Sequence, residues 1–250
     1  MSSRLTDWRR SAAALLTGQL AAKLGRFRKE TSAKSNAMKI VPYTVSEANQ
    51  LFAKAAACDF DLYVFLLTAV LAGMRLGEVI GLQWDDIDFG NMRIMVKRAV
   101  SRRRIETPKS HQQRPIDLAD DLCRALQELR RRRKEEWFEK GLPMPAWVFC
   151  NEDGNFINEY NLRTRKFYPL FKKVEGQEQL RRICLHNLRH TFASMHLQNG
   201  ESIVWVKDQM GHYSIQITVD MYGHLLPGAN RAAANRLAAT LNTSAVVVSA

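Results

Sequence analysis

The chain has 250 residues, 37 Lys plus Arg against 25 Asp plus Glu, a formal net charge of +12 and a sequence pI of about 9.8. At 46% hydrophobic and 25% charged it has a globular composition, which excludes an acidic solvating chain, a disordered one and a fibrous one. The longest apolar stretch, Leu62 to Ala72, is interrupted by Thr68 and is shorter than the roughly 18 residues needed to span a bilayer.

Residues 1–40 carry nine basic groups against Asp7 and Glu30, so this segment supplies +7 of the +12. Its apolar run Ala12 to Leu16 is followed by Gln19, Lys23 and Arg26, which does not make a signal peptide. Pro42 followed by the capped pattern Thr44-Val45-Ser46-Glu47 predicts a domain start near residue 41, with the basic segment before it an arm or linker. Helices are expected over Asp59 to Ala72, ended by Gly73, and over Arg75 to Gln83. Trp84 to Phe89 and Met92 to Val100, flanking Gly90-Asn91, read as a hairpin, with Arg114 to Leu118 as a third strand. A long helix follows over Ala119 to Lys140, then a short strand over Trp147 to Cys150. Further helices are expected over Glu159 to Lys173, His186 to Asn199, Ile203 to Met210, Ser214 to Tyr222 and Ala229 to Leu241, before a frayed tail over 242–250. The fold class is therefore α+β, mostly helical, with a small antiparallel three-stranded sheet.

Two further basic clusters, Arg102 to Arg104 and Arg130 to Lys134, accompany the arm. The second points all round its helix and reads mainly as a solvated face. With the pI, the charge points to a polyanionic partner, nucleic acid first. Cys58, Cys123, Cys150 and Cys184 form no C-x-x-C pair, which indicates neither disulfides nor a zinc ribbon and suits a reduced, cytosolic protein. A phosphate loop of the G-x-x-x-x-G-K type is absent. His186 and His190 are four apart and share a helix face, but capping or packing explains them better than zinc, since no Glu follows the first and no third ligand is near.

Specificity comes from five pieces in order: Gly73-Met74-Arg75-Leu76-Gly77-Glu78, Lys109, His186-Asn187-Leu188-Arg189-His190, Met210-Gly211-His212 and Tyr222-Gly223-His224. Their order and spacing resemble the catalytic domain of the tyrosine recombinases, the family that includes phage integrases, from about Pro42 to Leu241. The resemblance implies a catalytic domain over 41–241. It also implies that Arg75, His186, Arg189 and His212 surround a scissile phosphate, that Lys109 lies on a hairpin reaching the DNA, and that Tyr222 is the nucleophile.

Such roles fit the residue types. A phosphodiester repels nucleophiles and gathers charge on its nonbridging oxygens in the transition state. Two guanidinium forks that keep their protons answer that need, which suits Arg75 and Arg189. A phenol of unperturbed pKa about 10 needs a base or a positive field to attack. His186 is the candidate base, His212 a donor to the phosphate, and Lys109 a proton source for the departing 5′ oxygen. Glu78 is read as a buttress, and the Arg75–Glu78 spacing also suits a plain helix-surface ion pair. Lys97 and the arginines at 102–104 compete with Lys109 for its place. Tyr213 adjoins His212, whereas the family sets its nucleophile nine or ten residues later, where Tyr222 stands.

The activity implied is site-specific DNA recombination or integration through a covalent 3′-phosphotyrosine, without metal or cofactor, in a bacterial or phage-encoded cytoplasmic protein of a mobile element. Double-stranded DNA is the implied partner, with self-association on it through the last helix. The family's helical core-binding domain would precede the catalytic one. Here Gln19 to Glu30 resembles only its end, so a DNA-binding remnant without turnover is the alternative. A type IB topoisomerase-like enzyme and a helix-turn-helix regulator are more distant readings.

Overall fold

A computed structural model describes residues 41–107, 113–172, 179–225 and 231–241. The expected arm, Lys109 and the 242–250 tail lie outside the described residues.

Helix α1, Val45–Cys58, opens on a capping box: the Thr44 hydroxyl accepts from the Glu47 amide, and the Glu47 carboxylate accepts from the Thr44 amide at 2.8 Å. Asp59 then serves two helices. Its amide closes α1 on Ala55, and its carboxylate caps α2, Phe60–Leu71, by accepting from Leu62 at 3.1 Å. Nearly every side of α2 is apolar, so it can only be central, and it packs against α1 and three later helices. Thr68 is tolerated there because its hydroxyl donates to the Val64 carbonyl at 2.8 Å. The helix stops at Gly73, which takes the left-handed conformation at φ +57°.

Short α3, Leu76–Ile80, leads through a 3₁₀ turn at Trp84–Asp86 into β1, Ile87–Asp88, and β2, Arg93–Val96. These strands form an antiparallel sheet with β5, Arg114–Asp117, in the order β1-β2-β5. Ile94 faces Ile87 on one side and Ile116 on the other, so the register places three buried isoleucines on the core face.

The expected long strand over Met92 to Val100 is instead two. Lys97 and Arg98 both turn to the buried carboxylate of Asp86, at 3.2 and 2.5 Å, and the chain breaks away from the sheet there. It continues as a separate ribbon of β3, Ala99–Ser101, and β4, Arg104–Glu106. Arg102 and Arg103 form the turn of this ribbon, both at positive φ.

Helix α4, Asp120–Glu139, buries Leu122, Leu126, Leu129, Arg133 and Trp137 at helical spacing. Its basic run is largely neutralised locally. Arg131 and Arg132 both bond Glu128, Arg131 also bonds Glu135, Arg132 stacks over Phe60, and the buried Arg133 pairs with Asp61 and Glu136. The expected strand over Trp147 to Cys150 is reduced to isolated bridges, Gln83 with Trp147 and Cys150 with Phe156.

The helix expected over Glu159 to Lys173 is broken as well. One α turn (α5, Glu159–Asn161) passes into a π turn at Leu162–Phe167 and a 3₁₀ turn at Tyr168–Phe171. Pro169 supplies no amide to continue an α-helix, and the irregular turns let Phe167, Leu170 and Phe171 all reach the core.

The last helices fall close to their expected bounds: α6 His186–Gln198, α7 Ile203–Met210, α8 Ile215–Tyr222 and α9 Arg231–Thr240. A second, smaller apolar cluster joins Phe192, Ala193 and Leu197 of α6, Val206 and Met210 of α7, and Tyr222. Among the described residues no helix is long and apolar enough to cross a membrane, and no group of three His, Cys, Asp or Glu could hold a metal ion.

Candidate active site

The chain gathers three arginines and one carboxylate where the ends of α2 and α7 meet the start of α3. Arg75 is the N-cap residue of α3, and Glu78, one turn on, accepts from its amide at 2.9 Å and its guanidinium at 3.0 Å. The other arm of Arg75 donates to the Gly211 carbonyl at 2.8 Å. Arg189, on the buried face of α6, donates to the carbonyls of Gly73 at 2.6 Å and Met210 at 2.7 Å. These carbonyls lie at helix C-termini, where they lack intrahelical partners and carry the negative end of the helix dipole. The left-handed Gly73 and Gly211 therefore do more than end helices, because their backbone geometry aims acceptors at the two arginines.

A third arginine was legible in the sequence only as the first residue of the third strand, Arg114 to Leu118. Arg114 of β5 grips Glu78 with both arms, at 3.0 and 2.6 Å, and donates from Nε to the Gln209 carbonyl. A Cβ at Gly211 would stand 2.7 Å from this guanidinium, so glycine is required there by φ and by space. The buttress expected of Glu78 is thus a shared one, and the plain surface ion pair is excluded because Glu78 is only 1% exposed. Arg75 and Arg114 hold its carboxyl below the usual range against the upward push of burial. Three cations around one anion leave the cluster positive. Burial first, and then Arg75, pull the pKa of Arg189 down to about 9.

His212 follows Gly211 at once, and its Nδ1 lies 2.9 Å from the hydroxyl of the fully buried Thr218. Burial first, then Arg189, Arg75 and Arg114, lower its pKa to about 4, which leaves the ring neutral at pH 7. Tyr222 is 3% exposed and its phenol lies 2.5 Å from Nδ1 of His190. Burial raises the phenol pKa, and Arg189 draws it partly back. Sequence reasoning set His186 beside the tyrosine, but the ring in hydrogen-bond contact with it is His190. His186 is exposed at the start of α6 and packs edge-on against His190, with centroids 4.9 Å apart. Tyr213 is 85% exposed. Arg75, Glu78, Arg189, His212 and Tyr222 are brought together, while Lys109 falls outside the described residues.

A family model described as the phage integrase family matches residues 43–228, well over half of the chain. The chain belongs to that family. A tyrosine recombinase XerC-like protein of Caldanaerobacter subterraneus subsp. tengcongensis is 28% identical over 193 residues, covering 70% of this chain and 48% of the relative. The ICEBs1 integrase of Bacillus subtilis is 27% identical over 178 residues, covering 69% and 47%. This chain therefore spans about half the length of the curated relatives it matches. Among solved structures, the Tn1549 transposon integrase in complex with circular intermediate DNA superposes with a TM-score of 0.65 at 22% identity, covering 82% of this chain and 68% of that one. That likeness places the fold among tyrosine recombinase catalytic domains, and the helical body with its small antiparallel sheet is the fold expected of the sequence.

Proposed function

We propose that this integrase-family chain cuts and rejoins double-stranded DNA at specific sites through a covalent 3′-phosphotyrosine on Tyr222. The observation that carries the reading is the company of that phenol: a buried tyrosine hydroxyl on the same chain as an overcharged arginine cluster whose one carboxylate is already shared. Such a cluster suits a phosphodiester, whose charge would complete the pairing. Arg75 and Arg189 would hold the nonbridging oxygens, with Glu78 keeping Arg75 in place. His212, if its Nδ1 accepts from Thr218, presents Nε2–H to the phosphate. His186, exposed at the mouth, would face the incoming strand, and Lys109 would protonate the leaving 5′ oxygen. No metal or cofactor is assigned a role.

The names of the relatives support recombination and mobile-element transfer in a bacterial cell, and the DNA bound to the Tn1549 integrase supports DNA as partner. Self-association on DNA is assigned to α9, whose Leu237 and adjoining Leu241 are 61% and 64% exposed.

The test is covalent capture on nicked duplexes with randomised flanks, from which the protein selects its own site. Tyr222→Phe removes one hydroxyl and little volume, so it should bind DNA and melt as the parent does but form no adduct. An adduct that persists in Tyr222→Phe, or maps to Tyr213, would refute the assignment. DNA binding without any adduct from the parent chain would mean a binding module without turnover. Adduct formation should also survive excess EDTA.

A further inference from the structure

We propose that His190 is the proton acceptor for the nucleophile: its Nδ1 holds the Tyr222 hydroxyl in the resting site and takes the phenol proton when Tyr222 attacks. This rests on the recombinase reading above and assigns to His190 the part that spacing alone had given to His186.

The geometry is direct. The Tyr222 oxygen and His190 Nδ1 are 2.5 Å apart, the two rings have centroids 5.7 Å apart, and both residues are buried, at 3% and 4% exposure. A neutral imidazole with an unprotonated Nδ1 can accept from the phenol, and its proton then sits on Nε2. The ring is kept neutral, with its pKa at about 4, by burial first, then by His186 and Arg189 on the same helix. The groups facing this pair are His186 and Arg189 of α6 and His212 from the loop between α7 and α8.

That environment makes His190 a weak base in the free protein and a better one in the complex. An arriving phosphate offsets Arg189, the arginine that opposes a proton on His190, while the burial of the ring continues to hold its pKa down. The step balances: the O–H proton moves to Nδ1, the phenolic oxygen bonds to phosphorus, and the P–O5′ bond breaks with its electron pair on the 5′ oxygen. That oxygen takes a proton from the acid on the leaving side, for which Lys109 is the candidate. In the reverse step His190 returns its proton to the departing tyrosine.

Two substitutions separate holding from proton transfer. His190→Asn can place a carbonyl oxygen where Nδ1 stood, which accepts a hydrogen bond but not a proton at neutral pH. His190→Phe keeps the ring and removes the acceptor. Single-turnover adduct formation on the captured duplex should fall by about 10²-fold or more in both, with DNA affinity unchanged. The parent rate should level off with rising pH once the ring is neutral, whereas the His190→Asn rate should go on rising. Neither variant should recover on a duplex whose 5′ leaving atom is sulfur, because a thiolate departs without a proton. A rate near or above the parent's in His190→Asn, even with His190→Phe slow, would mean that the side chain only holds the phenol and would overturn the proposal, as would rescue of either variant by the sulfur substrate.

A parent chain that forms no adduct defeats the recombinase reading instead, and the pairing is then read by ¹⁵N spectroscopy. His190 should show an unprotonated Nδ1 whose shift changes in Tyr222→Phe. A protonated or unresponsive Nδ1 would overturn the pairing itself.

Discussion

Glu78 is a buried carboxylate whose charge, among the described residues, is answered by Arg75 and Arg114, and this makes it the residue on which the cluster turns. Glu78→Gln keeps the shape and removes the anion, leaving Arg75, Arg114 and Arg189 as like charges in a small volume. Breaking a buried pair in this way costs about 3–5 kcal/mol, so the melting temperature should drop clearly. Added duplex DNA should recover part of the loss if the phosphate supplies the missing charge, and a melt with and without duplex measures both effects.

The buried His190 and the partly buried His212 make a second prediction. His190 and His212 have folded pKa values of about 4 against an ordinary 6.5, so as pH falls the unfolded chain takes up their protons first. Their contribution is fully present above about pH 6.5, declines between 6.5 and 4, and is constant below, with a slope of up to about 1.4 kcal/mol per pH unit for each ring. Carboxylates such as Glu78, already held low, act mainly below this window. Denaturant unfolding at pH 7, 6 and 5 should show the decline, and replacing both histidines with asparagine should flatten it.

At the scale of elements, the β3–β4 ribbon carries a local conflict. Arg102 and Arg103 stand at φ +49° and +63°, a pairing of left-handed residues that favours Asn-Gly in a two-residue hairpin turn. Placing L side chains there costs about 1–2 kcal/mol per residue. Arg102→Asn with Arg103→Gly should therefore raise the melting temperature. If the turn touches DNA, the same change should weaken binding and lower the slope of log K against log salt by about 0.9 per lost phosphate contact. A higher melting temperature with an unchanged slope would show that the arginines are placed for no DNA contact. The run on α4 differs, because Arg131, Arg132 and Arg133 already have carboxylate partners. Helix α8 is thinly docked: only Thr218 and Tyr222 are buried, and Ile215, Val219 and Met221 are exposed. Tyr222, carried on such an element, can be uncovered without opening the main core.

For the whole molecule, the main core runs from α1 to the start of α6, while Tyr222 belongs to the smaller cluster of α6, α7 and α8. The candidate site thus sits at the border of two apolar clusters, with Arg189 donating to carbonyls at Gly73 and Met210. Beyond that border α9 presents exposed leucines. Leu237→Asp with Leu241→Asp should leave the melting temperature and single-site adduct formation unchanged, yet block strand exchange between two sites if α9 docks on a second protomer. A lowered melting temperature would instead mean that the helix packs on its own domain.

Residue type, order and local periodicity are legible along the chain. Five short motifs in order resemble the tyrosine recombinases, and that resemblance singled out Arg75, Glu78, Arg189, His212 and Tyr222 as candidates, while a left-handed helix end favours glycine at Gly73. Helices with one apolar face, such as α4 and α7, could be bounded to within a residue or two. The rest depends on contacts between distant segments. The Asp86 carboxylate that splits β2 from β3, the grip of Arg114 on Glu78, and the choice of His190 over His186 as partner of Tyr222 are all of this kind. Two histidines one turn apart are nearly equivalent in a sequence. They become different when one is buried against α8 and the other stands in solvent, and burial is a property of the packed chain.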